Sequence, residues 1–553
     1  MTTARPASTR PWEVHYPPGL AWDAPIEQGT LPALLARSVA AFGAQPAIDF
    51  RGRTVSYAEL GERVKRLARG LAALGIGRGD AVALLLPNTP VHPISFFAVA
   101  TIGARLVHLT PLDPARAILR KLADSGARTV ITTDLPGVLP QALAAWGEGG
   151  CDRLIVAEDA EWGGPGGAGL PEGAIAFAGL DGPAFEPRTL VPSDLALLQY
   201  TGGTTGPPRA AMLSHGNLTS AVSIYNTWHR GIGRAIGPGA RLMCVLPLFH
   251  IYALTAVMLR CLQNGAMLML RQRFDADTAL DDIERGRCTH FAGVPTMWIA
   301  LVNHPRIGSA DLSSLLVCSS GGAALPPEIL SRFGELTRLR IGGGWGMTET
   351  SPAGTNLVLG RTPGPGEIGV PLPAVDMDVA ALDDPARTVP PGETGELRVR
   401  GPNVTAGYWQ RDEENATAFC GGWFLTGDIG HMSANGIFTI VDRKKDMLIS
   451  GGFNVYPRTI EDAIHEHPDV REAAVIGIPD PYRGQAAKAF VSLRTGASAL
   501  TLEALRVFLA DKLGRHELPT ALEVRDELPH TSVGKLAKRE LMTPIADPPT
   551  TTI

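Results

Sequence analysis

Short apolar runs, set apart by helix-patterned segments, constrain this chain more than any other feature of its sequence. The run at 81–86, Ala-Val-Ala-Leu-Leu-Leu, has no polar position. A strand with one wet face alternates, whereas a strand apolar throughout is covered on both faces, as in a parallel sheet flanked by helices. Similar runs recur at 128–132, 153–157, 241–246, 266–270, 291–294 and 316–319. Helical spacing lies between most of them. Leu31, Leu34, Leu35, Val39 and Phe42 fall on one helix face, and Leu60, Val64, Leu67, Leu71 and Leu74 on another. Ser56 and Glu59 open the second helix with capping-box spacing, after a predicted hairpin around Arg51-Gly52-Arg53. The alternation predicts doubly wound α/β subdomains.

The pattern changes twice further on. Short runs at 396–399 and 438–441, with the turn Pro390-Pro391-Gly392, predict a small β-rich subdomain over about 376–442. After that come a helix starting at Pro457, strands at 473–478, 489–493 and 521–525, and a helix at 501–513. The expected organisation is α/β: a large unit over 1–442 and a small α+β domain over 443–553. Of 553 residues, 63 are Gly and 45 are Pro, an excess that belongs in loops, where sites are built. The Gly- and Pro-rich stretch 147–192 reads as a long surface connection.

Charge and cysteine usage exclude some classes. Fifty basic and fifty-five acidic residues give a net charge of −5, and no basic run stands out, so nucleic acid is not an expected partner. Six cysteines lie scattered with no Cys-x-x-Cys pair, which predicts reduced thiols and a cytoplasmic protein. The first twenty residues have no apolar signal core. Uncharged stretches at 81–104 and 242–259 are interrupted by Pro87, Pro90, Pro93 and Pro247, so neither reads as a spanning helix. Peripheral membrane contact stays open, as does the choice between monomer and homodimer.

Five segments carry chemistry. Tyr200-Thr-Gly-Gly-Thr-Thr-Gly-Pro-Pro-Arg209 follows a strand-like run. Its small residues and hydroxyls can form an anion-binding concavity, though its spacing is not that of a Walker loop. Gly344-Trp-Gly-Met-Thr-Glu-Thr-Ser-Pro352 exposes a hydroxyl and a carboxylate suited to Mg²⁺ shared with phosphates. Trp423-Phe-Leu-Thr-Gly-Asp428 puts an Asp at a strand end, where it can accept from both hydroxyls of a ribose. Asp442-Arg-Lys-Lys-Asp-Met-Leu-Ile-Ser-Gly-Gly-Phe-Asn-Val-Tyr-Pro457 joins a charged cluster to a Gly pair at the domain boundary. Pro529-His-Thr-Ser-Val-Gly-Lys535-Leu-Ala-Lys-Arg539 carries a long ammonium in a late loop. Taken singly, each is an ordinary turn or linker. Their order and spacing are specific.

In that order, from about 31 to 541, the chain resembles the adenylate-forming superfamily of acyl-CoA synthetases, adenylation domains and luciferases. Leu198-Gln-Tyr-Thr-Gly-Gly-Thr-Thr-Gly206 and Ala211-Met-Leu-Ser-His-Gly-Asn-Leu218 look most like bacterial fatty-acid–CoA ligases. The resemblance implies that Thr201, Gly202, Gly203, Thr204, Thr205 and Gly206 hold the ATP phosphates, with Arg209 where the family has Lys. It implies an adenine wall at Gly321, Gly322 and Ala323, and a nucleotide contact at Gly344, Trp345, Gly346 and Met347. Thr348 would contact phosphate, Glu349 would carry Mg²⁺, and Asp428 and Arg443 would bind the ribose. Lys445 would be the hinge, and Lys535 the lysine bridging substrate carboxylate and α-phosphate. His250 and Trp345 would border the acyl pocket, and Gly451 and Gly452 the coenzyme A tunnel.

The implied reaction has two halves. A medium- or long-chain acid, mono- or dicarboxylic, attacks the α-phosphate of ATP to give acyl-AMP and pyrophosphate. Coenzyme A then takes the acyl group and AMP leaves. Two other readings compete: an acyl-AMP ligase that loads a carrier protein, and a non-catalytic protein that binds an acyl adenylate.

Overall fold

The computed structural model describes residues 10–186, 189–201, 209–450, 453–481, 483–530 and 536–542. Two seven-stranded sheets form the bulk of the N-terminal part. In the first, Ala81–Leu85 lies between Thr129–Thr133 and Arg105–Leu109, and the order continues outward through Arg153–Ala157 to Ile175–Ala176 on one side and through Leu195–Thr201 to Arg209–Ser214 on the other. All its pairs are parallel except the last, an antiparallel hairpin. Ala81–Leu85 is buried at every position, as its sequence requires.

In the second sheet, Arg241–Cys244 lies between His290–Gly293 and Met267–Leu270. The order runs out through Val317–Ser320 to Ile341–Gly343 on one side, and through Pro46–Phe50 to Arg53–Ser56 on the other. Only the pair Pro46–Phe50 and Arg53–Ser56 is antiparallel. Its two-residue turn has Arg51 and Gly52 both at positive φ, the geometry that matches strand twist in hairpins. Helix Leu31–Phe42 starts at Thr30, whose side chain accepts from the Ala33 N–H. Helix Tyr57–Ala73 starts at Ser56, which caps Glu59 in the same way.

The antiparallel sheet begins earlier than the sequence pattern suggests. Thr355–Asn356 and Glu367–Pro371 open it, before Asp376–Ala380, Gly395–Arg400, Trp423–Met432 and Phe438–Arg443. The first is only two residues long and the second contains Gly369 and Pro371, so alternation does not reveal them. The C-terminal sheet contains Leu448–Ser450, Phe453–Val455, Val470–Asp480, Gly484–Leu493 and Ala521–Val524, packed on helices Pro457–His465 and Leu502–Leu509. Helix Leu502–Leu509 is shorter than the 501–513 that its periodicity suggests.

The stretch 147–192 is more than a connection. It supplies the edge strand Ile175–Ala176 of the first sheet and its neighbour Arg153–Ala157, and then straps the two large sheets together. Asp159, buried, pairs with Arg51 of the hairpin at 2.9 Å. Glu161 and Asp181 pair with Arg63 and Arg69 of helix Tyr57–Ala73. All six cysteines are free thiols.

Candidate active site

The parallel strands deliver their carboxyl ends to one cleft of about 2810 Å³. A pocket for one small molecule is usually about 300–1,000 Å³, so this space suits more than one substrate. Thr201, Ser320 and Gly343 end their strands at its wall. Ligands of open α/β sheets sit at that end. Across from them stand Asp428 and Arg443 of the antiparallel sheet, and Glu461 and Lys538 of the C-terminal domain.

Asp428 is the best-defined anchor. Its side chain is 1% exposed, and Arg443 lies opposite it in register, with Nε 2.5 Å from Oδ1. Trp345 donates its indole N–H to the other oxygen, Oδ2, at 2.8 Å. A carboxylate has about four acceptor positions, and these two contacts occupy one on each oxygen. The glycines beside Trp345 follow from packing. A Cβ on Gly346 would lie 1.4 Å from the Pro352 carbonyl, and one on Gly344 2.0 Å from that of Thr355. Only Gly lets the backbone approach this closely. Trp345→Phe keeps a ring and removes the donor. Hydrogen bonds to charged groups contribute about 1.5–3 kcal/mol, so the KM for a ligand held by this carboxylate should rise about tenfold or more with little change in kcat. Unchanged kinetics would show that this bond does not organise the site.

Glu349 lies on the short turn Thr348–Thr350 and is buried. Burial pushes its carboxyl up, while a hydrogen bond from Tyr408 and the charges of Arg443 and Arg209 pull it back down. Tyr408 donates to Oε1 at 2.7 Å, and the Arg209 guanidinium stands 5.0 Å over the Tyr408 ring. Among the described residues no group of three His, Cys, Asp or Glu is arranged to hold a metal by itself. One buried carboxylate in an open cleft fits Mg²⁺, which keeps waters and shares ligands with phosphates. It does not fit an all-protein metal cage.

Arg209 pairs with Thr201 across the hairpin that closes on the Thr/Gly loop, and Thr201 Oγ1 donates to the Arg209 carbonyl at 3.3 Å. Gly202, Gly203, Thr204, Thr205 and Gly206 lie outside the described residues, as do Gly451, Gly452 and Lys535. Gly321, Gly322 and Ala323 continue from strand Val317–Ser320 along the cleft. A Cβ on Gly321 would meet the Tyr252 ring at 2.8 Å, so that ring packs directly on the backbone. Met347 and Thr348 line the same wall. His250 also faces the cleft, its Nδ1 accepting from the Tyr252 N–H at 3.3 Å.

Lys445 stands where the chain passes between the antiparallel and C-terminal sheets. Burial pulls its ammonium down. Its neighbours are anchored: Lys444 pairs with Glu396 at 2.7 Å, and Asp442 accepts from the Arg458 N–H at 2.8 Å.

Residues 35–409 match the family model described as AMP-binding enzyme, and residues 459–535 match that of the AMP-binding enzyme C-terminal domain. The chain belongs to the AMP-binding enzymes. It is similar to a long-chain-fatty-acid–CoA ligase of Bacillus subtilis (strain 168), at 34% identity over 97% of this chain and 98% of that one. It is 39% identical to a feruloyl-CoA synthase of an Amycolatopsis species, over 90% of this chain and 95% of the relative. Its fold matches ATP-bound MatB from Rhodopseudomonas palustris with a TM-score of 0.81 and 29% identity, over 92% of this chain and 98% of that one. The mixed α/β architecture with a separate β-rich part is thus that of its solved relatives.

Several side chains of this AMP-binding enzyme's cleft carry no local sequence signal. Tyr408 reaches Glu349 from 59 positions away. Lys538 pairs with Glu461 at 2.7 Å within the C-terminal domain. Tyr225, His229, Arg260 and His290 line the same cleft as His250. Apart from Tyr408, which lies in a loop, each sits inside an element whose pattern shows only a helix or a strand.

Proposed function

We propose that this AMP-binding enzyme activates a carboxylic acid with ATP and transfers the acyl group to coenzyme A, releasing AMP and pyrophosphate. One observation carries the reading: the anchored Asp428 corner, the buried Glu349 and an arm reaching past His250 share one cleft. The names of both relatives describe ligation of an acid to coenzyme A, one with a long-chain fatty acid and one with a feruloyl group. Either acid needs an elongated arm beside the nucleotide.

In this reading Asp428 and Arg443 hold the ribose, and Trp345 fixes the carboxylate that does so. Gly321, Gly322 and Ala323 form the adenine wall, with Gly344, Gly346 and Met347 beside it. Thr201 to Gly206 and Arg209 hold the β- and γ-phosphates, while Thr348 and Glu349 face the reacting phosphate. Bound Mg²⁺ would offset phosphate charge, with Glu349 as its protein ligand. Lys535 then neutralises the charge that develops as the carboxylate attacks phosphorus. Rotation about Lys445 withdraws Lys535 and brings Gly451 and Gly452 to the pantetheine path, so that one chain alternates two sites. His250 and Trp345 border the acid. The free thiols fit a reducing compartment, and we place the enzyme in the cytoplasm. No helix among the described residues is long and apolar enough to cross a membrane.

Pyrophosphate release with a panel of acids, with and without coenzyme A, tests the reading. Acid-dependent release with thioester formed only when coenzyme A is present is expected. Release without thioester would move the acceptor to a carrier protein, and tight nucleotide binding without release would make the protein a sensor. Glu349→Gln keeps the shape and removes the charge. It should lower kcat by about 10²-fold or more and raise the Mg²⁺ needed for half-maximal rate. An unchanged Mg²⁺ requirement would remove Glu349 from the metal's ligands.

A further inference from the structure

The acyl arm of the cleft does not end in hydrocarbon. Its wall holds, besides His250 and Val257, the neighbouring side chains His229, Arg260 and His290. Arg260 begins the helical turn Arg260–Gln263, which continues the π-helical segment Tyr252–Leu259, and it is 6% exposed. A buried guanidinium is costly unless it is paired. The groups that act on it electrostatically are Tyr225, Tyr252 and Cys261, and none is a carboxylate. Nε donates to Asn226 Oδ1 at 3.2 Å, but Nη2 is buried with no partner among the described residues. Burial pushes the group down only to about 10, so it stays charged at neutral pH.

Two imidazoles face the same end. His229 Nδ1 lies 2.9 Å from the Tyr225 carbonyl. A carbonyl only accepts, so Nδ1 carries the proton and Nε2 is an acceptor. His290 Nδ1 lies 2.8 Å from Thr289 Oγ1. The Thr289 hydroxyl already donates to the Arg241 carbonyl, so it accepts from His290. His290 Nε2 is therefore a second acceptor, and it is buried with no partner among the described residues. Burial and the Arg260 charge hold both rings neutral, with Arg234 adding to the effect at His290, pulling His290 down to about 3 and His229 well below its ordinary value.

The far end of the arm thus offers a charged donor and two neutral acceptors. We propose that it recognises an oxygen function at the remote end of the acid, a hydroxyl or phenol whose oxygen accepts from Arg260 and whose proton goes to an imidazole Nε2. The inference rests on reading this arm as the acyl site. A methyl end leaves the guanidinium and both ring nitrogens unmet. A second carboxylate meets the guanidinium but also faces two lone pairs. A site built to bond a hydroxyl discriminates strongly against the analogue that lacks it.

The test compares acids matched in length that end in methyl, hydroxyl or carboxylate, together with the 4-methyl, 4-hydroxy and 4-carboxy cinnamates. Pyrophosphate release gives kcat/KM for each with the wild type, Arg260→Leu and His290→Phe. The expected result is a preference for hydroxyl over methyl of at least about 10-fold, lost or reversed in both variants. Arg260→Leu should also melt no lower than the wild type, because it removes an unpaired buried cation. A wild-type preference for methyl or carboxylate ends would overturn the proposal. So would an Arg260→Leu protein that fails to fold or loses rate equally on every acid, since the arginine would then serve the fold. If no acid releases pyrophosphate with the wild type, the acyl reading itself fails, and that outcome is distinct from a wrong ratio between acids.

Discussion

Lys535→Ala is expected to lower acid-dependent pyrophosphate release by about 10²–10³-fold or more, while leaving thioester formation from supplied acyl adenylate and coenzyme A near the wild-type rate. The asymmetry follows from charge. In the first half-reaction, negative charge builds between the attacking carboxylate and the α-phosphate, and a cation placed there acts mainly in the transition state. In the second, the thiol attacks carbon and the adenylate leaves as AMP. On the alternation reading Lys535 has by then turned away about Lys445. If both halves fell together, the two-site account would be wrong for this protein. A Lys445→Pro variant should give the complementary pattern, with the adenylation half kept and the thioester half slowed, because Pro fixes the φ that a hinge must change.

Asp428→Ala should raise the KM for ATP by about 10²-fold or more. Removing one partner from a buried pair costs about 3–5 kcal/mol, and the side-chain exposure of Arg443, 45%, places this pair toward the lower end. The Trp345 indole N–H also loses its acceptor, so the Tm should fall by a few degrees. Asp428→Asn retains an acceptor without the charge and should fall between the two proteins. A KM for ATP that stays at the wild-type value in Asp428→Ala would move the nucleotide away from this corner.

Local pattern carried most of the architecture. The apolar run at 81–86 could lie only in a sheet covered on both faces, and it is the centre of one. Thr355–Asn356 and Glu367–Pro371 were not legible: the first is two residues long and pairs only with the second, and the second is held by Phe438–Arg443, far along the chain. Among the site residues, Asp428, Arg443, Trp345 and Glu349 lie on motifs and reach one cleft. The pairings between them are not legible, whether the partner lies off the motifs, as Tyr408 does, or on a distant one. Tyr408 holds Glu349 across 59 positions, and the Trp345–Asp428 bond spans 83. Arg260 follows a run of apolar residues and looks like the end of an amphipathic stripe. Only the fold shows that Arg260 is buried and that its charge acts on His229 and His290.

The central claim is that the acid's own oxygen bonds to the α-phosphate of ATP before a thiol displaces it. An acid labelled with ¹⁸O in both carboxylate oxygens tests this directly. After turnover with ATP, Mg²⁺ and coenzyme A, mass spectrometry should find one labelled oxygen in the phosphate of AMP and none in pyrophosphate. Label in inorganic phosphate with ADP as the nucleotide product, or AMP with no label, would contradict the account.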